Sequence, residues 1–168
     1  MQRRTLLKLG AASTAVLVLA GGAAALLQPG LDRGRLSNAG REVFSSVGHA
    51  VLDKTLPDEE GARRIALNDL LARIDTLVTG LPSHAQAELS QLLSLLASAA
   101  GRRVLAGLSQ PWVDASVDQI QQALQGMRLS SLALRQQAYA ALHDISAGAY
   151  FSDPASWPLL GYPGPLKI

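Results

Sequence analysis

The strongest constraint on this chain is an uncharged run, Leu9 to Leu27, that follows a short basic start. A transmembrane helix needs roughly 20 apolar residues, so the run is long enough to enter a membrane. It is rich in alanine and glycine and therefore only moderately hydrophobic, which suits an export signal better than a strong anchor. The small residues Ala23 to Ala25 would allow cleavage after Ala25. Residues 1–27 are therefore predicted to be an export signal, either cleaved or retained as an N-terminal anchor.

The basic start carries a specific pattern. Arg3 and Arg4 are adjacent and are followed, after one spacer residue, by Leu6, Leu7 and Lys8. This order is typical of signals that the twin-arginine translocase reads. A general secretory signal also begins with basic residues and is the alternative. The pattern predicts export to the periplasm, or to the periplasmic face of the inner membrane, with membrane contact through the N-terminal segment.

Once the signal is set aside, the chain loses its basic character. The whole sequence has 15 basic and 13 acidic residues and a formal charge of +2. Three of the basic residues lie in the signal, which leaves 12 basic against 13 acidic residues. No basic excess remains to favour nucleic acid as a partner. The sequence contains no cysteine, which excludes disulfides, iron–sulfur clusters and thiolate metal sites.

Helical periodicity dominates the rest of the chain. Residues 28–36 are polar, contain glycine and proline, and are predicted to be a spacer. Ser37 is a predicted N-cap, and Ser116 with Gln119 forms a predicted capping box. Period-two alternation of β-branched residues, the mark of strands, is absent. Residues 37–168 are therefore predicted to form an all-α bundle of four or five helices, covering about 37–52, 57–80, 83–101, 116–126 and 130–148.

Particular residues within these helices carry further expectations. Gly126 is expected to end the fourth helix, and Leu134 is expected on the buried stripe of the last one. The pair Arg102-Arg103 is interpreted as part of a solvated helix face. The buried face of the first helix is predicted to include Val43, Phe44 and Val47.

The C-terminal tail, residues 150–168, differs in kind from the helical part. Its four prolines forbid a long helix. Five of the seven aromatic residues of the chain lie from residue 139 onward. Aromatic residues are enriched among interface anchors, so a partner-docking surface is expected at Tyr150, Phe151, Trp157 and Tyr162. A compatible alternative is that the tail folds back and closes the open end of the bundle.

The order of residues in this tail resembles the C-terminal end of the gluconate 2-dehydrogenase subunit 3 family. It runs from the aromatic pair through Asp153-Pro154 and Trp157 to the stretch Gly161 to Pro165. The chain is also similar to the small subunits with twin-arginine signals that accompany FAD-dependent oxidoreductases of the glucose–methanol–choline class. The resemblance implies a non-catalytic small subunit, because in these assemblies the flavin and the chemistry lie on the large subunit.

The residues themselves carry no recognisable catalytic or ligand-binding pattern. The three histidines, His49, His84 and His143, lie on different predicted helices and outside any zinc-binding spacing. Neither a phosphate-binding P-loop nor the G-x-G-x-x-G pattern occurs. The stretch 107–111 begins like a nucleophile elbow but lacks the second glycine and a preceding strand. We therefore expect no catalytic residue, no metal site and no cofactor held by this chain itself.

These observations favour an accessory role over an enzymatic one. The twin-arginine route exports folded proteins, commonly ones that take up a cofactor or a partner first. Because this chain shows no cofactor motif, its signal is expected to serve a partner, a large FAD-dependent oxidoreductase subunit. The alternative is a free-standing periplasmic or membrane-tethered helical protein that binds a ligand or acts as a scaffold.

Overall fold

The computed structural model describes residues 28–164, so the predicted export signal lies outside the described residues. A short hairpin of β1 (Leu31–Asp32) and β2 (Arg35–Leu36) comes first. Five long helices follow: α1 (Asn38–Val51), α2 (Glu60–Thr79), α3 (Ser83–Ala97), α4 (Val117–Arg128) and α5 (Ala133–Phe151). Short helical turns cover Ala99–Gly101, Arg102–Ala106, Trp112–Asp114 and Pro154–Leu160. The predicted all-α class, a small bundle of four or five helices, is confirmed for the described residues.

Helix α1 is the centre of the bundle, since it packs against each of the other four long helices. The side chains of Val43, Phe44 and Val47 are completely buried, as predicted. Burying one such side chain stabilises a fold by about 1.5–3 kcal/mol. On the face toward α2, Gly48 lets the helices approach closely, because a Cβ atom there would lie 2.6 Å from the Leu70 side chain. The core therefore forms around α1.

Two of the predicted helix starts use the expected side-chain caps. The Ser37 hydroxyl accepts a hydrogen bond from the Gly40 N–H at 3.2 Å, at the start of α1. At the start of α4, the Ser116 hydroxyl accepts from the Gln119 N–H, and the Gln119 side chain accepts from the Ser116 N–H. These bonds satisfy amide groups that a helix N-terminus leaves without an intrahelical partner. The predicted N-cap and the predicted capping box are both confirmed.

Helix α2 begins with a carboxylate cap. Glu59 accepts hydrogen bonds from the Gly61 N–H at 2.8 Å and the Ala62 N–H at 2.6 Å. These two N–H groups stabilise the ionised carboxylate and hold the pKa of Glu59 below its ordinary value. The acidic stretch before α2 thus contributes to the helix start.

Residues 28–36, predicted to be a spacer, instead form part of the domain. The two strands are antiparallel, with Leu31 opposite Leu36, and both leucines are buried. Arg33 and Gly34 form the two-residue turn, with φ values of 48° and 77°. Two successive positive φ angles are the geometry of the type I′ turns that join twisted strands. The prediction was wrong because two-residue strands are too short for alternation to show.

A buried carboxylate fixes this hairpin to two helices. The Asp75 side chain on α2 accepts a hydrogen bond from the Leu36 N–H at 2.7 Å and pairs with the Arg41 guanidinium on α1. Asp75 is 8% exposed, and a buried carboxylate is tolerated when it is paired and hydrogen-bonded. Asp75 therefore joins β2, α1 and α2 at one point.

The chain before the hairpin lies against α3. The Gln28 carbonyl accepts from the Ser94 hydroxyl at 2.7 Å, and the Gly30 N–H donates to the Ser90 carbonyl at 3.3 Å. A Cβ atom at Gly30 would lie 2.3 Å from the Leu93 Cβ atom and 2.6 Å from the Ser90 carbonyl oxygen. Only glycine allows the backbone to approach α3 this closely.

Gly30→Ala should therefore destabilise the domain by about 1–3 kcal/mol, since the added methyl group must displace backbone. Gly148→Ala is the matched control, because a Cβ atom there meets nothing within 4 Å and the residue lies inside α5. Alanine at that helical position should instead stabilise by about 0.5–1 kcal/mol. Urea unfolding followed by circular dichroism measures both. Equal effects of the two substitutions would contradict the close approach at Gly30.

The C-terminal end of α3 is held by residues that come later in the chain. The helix ends at Ala97 and not at Gly101 as predicted, because the Ser98 backbone leaves the helical region with ψ of 147°. The Trp112 indole N–H donates to the Leu96 carbonyl at 2.8 Å. The Arg102 guanidinium donates to the Ala97 carbonyl at 3.3 Å. These two side chains satisfy carbonyls that the helix end leaves free.

The same contact corrects the interpretation of the arginine pair that follows α3. Arg103 is exposed as predicted, but Arg102 is buried, with 6% of its surface accessible. A cation at a helix C-terminus interacts favourably with the negative end of the helix dipole. The end of α3 thus provides a partner for one nitrogen of the buried Arg102 side chain, while its Nε has none among residues 28–164.

The junction between α4 and α5 differs from the prediction in two respects. Gly126 does not end α4, which continues through the completely buried Met127. Burial of a methionine outweighs the helix cost of glycine, about 1 kcal/mol. Leu134, predicted to be buried, is 56% exposed, because α5 begins only at Ala133 and Leu134 lies in its first turn.

Candidate functional site

The predicted site residues fall into two groups with different outcomes. The export-signal residues Arg3, Arg4, Leu6, Leu7 and Lys8 lie outside the described residues. The four aromatic residues predicted to dock a partner are described. They form two pairs, one at the end of α5 and one in the tail.

The first aromatic pair, Tyr150 and Phe151, belongs to α5 and contributes to the domain itself. Both side chains are partly buried and pack against the core. Their rings meet edge to face, with centroids 5.2 Å apart. The Tyr150 hydroxyl donates to the Thr55 carbonyl at 3.1 Å, which ties α5 to the loop after α1. This pair is placed to stabilise the fold more than to contact a partner.

The second pair, Trp157 and Tyr162, orders the tail. The Trp157 indole N–H donates to the Phe151 carbonyl at 3.0 Å, so the tail folds back on the end of α5. The rings of Trp157 and Tyr162 lie 5.3 Å apart. Gly161, with φ of 67°, makes the left-handed turn that brings Tyr162 back toward the tryptophan. A partly buried tryptophan therefore holds this segment in one conformation.

Asp153 fixes the start of the tail. Its carboxylate pairs with Arg73 on α2 and accepts from the Ala155 N–H at 2.9 Å. Its carbonyl accepts from the hydroxyl of the buried Ser156 at 2.6 Å. The turn Pro154–Leu160 is thus attached to both α2 and α5.

The other face of the same turn is open and apolar. Leu159, Leu160 and Tyr162 are 58%, 57% and 47% exposed. We call these three residues the tail surface. Apolar side chains held on a rigid turn lose little conformational freedom when a partner covers them. The tail thus has an inner face that packs against the end of α5 and an outer face that is exposed among residues 28–164.

A cleft of about 640 Å³ lies at the opposite end of the chain, between residues 28–29, the hairpin and the first turn of α1. We call it the N-terminal cleft. Its charged lining residues are Asp32, Arg33, Arg35 and Arg41. Arg41 pairs with Asp75, whereas Arg33 lies 3.9 Å from Asp32 and is almost fully exposed. The sequence did not predict this cleft, because its residues were assigned to the predicted spacer and the first predicted helix.

A smaller cleft of about 360 Å³ lies beside the turn that precedes Trp112. Several of its polar side chains already make hydrogen bonds within the domain. Arg135 donates from Nε to the Leu105 carbonyl at 2.7 Å, and the Gln110 amide donates to Gln119 at 2.6 Å. This cleft is explained by the packing of α4 and α5 against that turn.

The three histidines are exposed or partly exposed. His84 is exposed, and His143 lies 2.9 Å from the Asp144 carboxylate. His49 lies in the last turn of α1, where partial burial and then the Arg63 charge lower its pKa. Among residues 28–164, no three metal-ligating side chains come together.

The described residues define a small all-α domain with an ordered, proline-containing tail. Within residues 28–164, no helix has both the length and the apolar character needed to cross a bilayer. Comparison with protein-family models, with curated proteins and with solved structures gave no match.

Proposed function

We propose that this chain is the non-catalytic accessory subunit of a periplasmic FAD-dependent dehydrogenase, which it helps to mature and to export by the twin-arginine route. The observation that carries the proposal is the pattern from Arg3 and Arg4 to Lys8. This route carries folded proteins, so a partner that has already taken up its flavin can cross the membrane with the chain.

The tail surface supplies a docking site suited to such a partner. Leucine and aromatic side chains bury large apolar areas at interface centres. Leu159, Leu160 and Tyr162 lie on a turn that Trp157 and Asp153 hold in place. The resemblance of this segment to the small subunits of FAD-dependent oxidoreductases supports the same assignment. The proposed partner surface is therefore the tail surface, Leu159, Leu160 and Tyr162.

The test replaces Leu159 and Leu160 by serine in the full chain. Because both side chains are exposed, the fold should keep its stability while binding to the large subunit weakens roughly 10- to 100-fold. The matched control replaces Leu132 and Leu134, which are exposed to a similar degree at the α4–α5 junction. The measurement is recovery of a flavin-containing large subunit, by flavin absorbance and intact mass, with each tagged variant from its native cells.

If the large subunit co-purifies equally with the tail variant and the unchanged chain, the tail surface is not the docking site. If no flavoprotein co-purifies with the unchanged chain, the accessory role fails. The free-standing periplasmic or membrane-tethered scaffold protein then takes its place.

A further inference from the structure

The N-terminal cleft lies where the uncharged run of the sequence joins the folded domain. Gln28, which lines the cleft, directly follows Leu27, and one residue spans at most about 3.6 Å. Gln28 is held against α3 by the Ser94 hydroxyl. The polar headgroup region of a bilayer is roughly 5–7 Å thick on each side. If residues 9–27 stay in the membrane, the cleft lies at the depth of the lipid phosphates.

We propose that the N-terminal cleft binds the phosphate group of an anionic phospholipid. Its lining contains three guanidinium groups and one carboxylate. Arg33 and Arg35 flank the glycine of the type I′ turn, so the hairpin sets the backbone positions of two arginines beside the cleft. A guanidinium fork matches phosphate oxygens with two parallel hydrogen bonds.

The first turn of α1 adds to this preference for an anion. It contains no acidic residue, and the Ser37 hydroxyl takes up only the Gly40 N–H. The N–H group of Asn38, which lines the cleft, donates to no acceptor among residues 28–164. Free N–H groups at a helix N-terminus favour phosphate oxygens. The helix start and the arginines therefore act on the same ligand.

The anchoring of the cleft residues keeps this arrangement rigid. Asp75 accepts from the Leu36 N–H and pairs with Arg41, so one carboxylate attaches the hairpin to α1 and α2. The same pair partly neutralises Arg41, and Asp32 lies 3.9 Å from Arg33, so Arg35 is the lining arginine with no carboxylate within 4 Å among residues 28–164. A volume of about 640 Å³ is within the range of small-molecule sites. A lipid headgroup is favoured over free phosphate because the membrane would hold it beside the cleft.

The first measurement is the intact mass of the chain recovered from the membrane fraction of its native cells. The proposal requires a chain that retains residues 1–27. Recovery of only a processed chain that lacks them overturns it.

The second measurement is a titration of the full chain in neutral detergent, followed by amide NMR signals of residues 30–41. Phosphatidylglycerol should shift these signals in a saturable way, whereas phosphatidylcholine and inorganic phosphate at the same concentrations should not. Replacing Arg33 and Arg35 by glutamine should weaken the phosphatidylglycerol response roughly 10- to 30-fold. The matched control replaces Arg64 and Arg103, two exposed arginines on α2 and beyond α3, and should leave the response unchanged.

Each contrary outcome overturns the proposal. Equal shifts with phosphatidylcholine exclude recognition of charge, and equal shifts with inorganic phosphate indicate a free-anion site instead. A response that both pairs of substitutions reduce equally would reflect net charge and not the cleft. The titration uses the isolated chain without a flavoprotein, so its failure is distinguishable from failure of the accessory role.

Discussion

Trp112→Ala should lower the free energy of unfolding by about 3–5 kcal/mol, the cost typical of truncating a large aromatic side chain in a core. Trp112 is completely buried between α1 and the end of α3. Its indole N–H satisfies the Leu96 carbonyl, and its own carbonyl accepts from the Ser46 hydroxyl at 3.1 Å. The substitution therefore removes apolar burial and leaves a helix carbonyl without its partner. The free energy of unfolding of a typical domain is about 5–15 kcal/mol, so a loss of this size would remove a large part of it.

The second tryptophan provides the matched control. Trp157 also donates its indole N–H to a carbonyl, but it is only partly buried and lies in the tail. Trp157→Ala should cost less, about 1–2 kcal/mol. Thermal unfolding followed by far-ultraviolet circular dichroism compares the two variants, with an expected loss of roughly 10–20 °C for Trp112→Ala. A larger loss for Trp157→Ala would mean that the tail, and not the end of α3, supports the bundle.

Changing Arg3 and Arg4 together to lysine should abolish export while keeping the charge. The translocase reads the arginine pair as a pattern, and lysine lacks the planar guanidinium group. The domain should still fold, because residues 28–164 form their own core. If the chain carries a partner, a large oxidoreductase without a signal of its own should accumulate in the cytoplasm with it. Fractionation of the cells, followed by comparison of the periplasmic and membrane proteomes, measures both proteins.

A second pair of adjacent arginines provides the control for this experiment. Arg63 and Arg64 lie on α2, where the Arg63 guanidinium donates to the Asp58 carbonyl at 3.0 Å. Changing them to lysine makes the same chemical substitution in the folded domain and should leave export intact. If the signal variant mislocalises this chain alone, and every oxidoreductase reaches the periplasm as before, the carrier role is wrong.

The sequence predicted the positions of the helices more accurately than the residues at which they end. Ser37 and the Ser116–Gln119 box were found because a cap is a local arrangement of side chain and backbone. The end of α3 was misplaced because Trp112, fifteen residues beyond Ala97, satisfies one of its carbonyls. The continuation of α4 past Gly126 likewise depends on the burial of Met127. Such endings are decided by contacts that sequence spacing does not show.

The candidate sites also have some features that the sequence predicts and others that only the folded structure shows. The tail was recognised as distinct because prolines and aromatic residues are visible in composition. The inner and outer faces of the tail could not be predicted. Trp157 and Leu159 differ in exposure only because Pro154–Leu160 folds back on α5. The N-terminal cleft was missed because its arginines form one site only when the hairpin packs beside α1.

The sequence by itself determined the helical class, the core stripe of α1 and the basic pattern before the uncharged run, because each depends on residues close together in the chain. Only the tertiary structure decided that residues 28–36 belong to the domain, that Arg102 is buried and that Asp75 joins three elements. The physical reason is that burial and the pairing of polar groups depend on which surfaces meet. Asp75 and Arg41 are thirty-four positions apart, yet they pair, and the same carboxylate accepts the Leu36 N–H that attaches the hairpin.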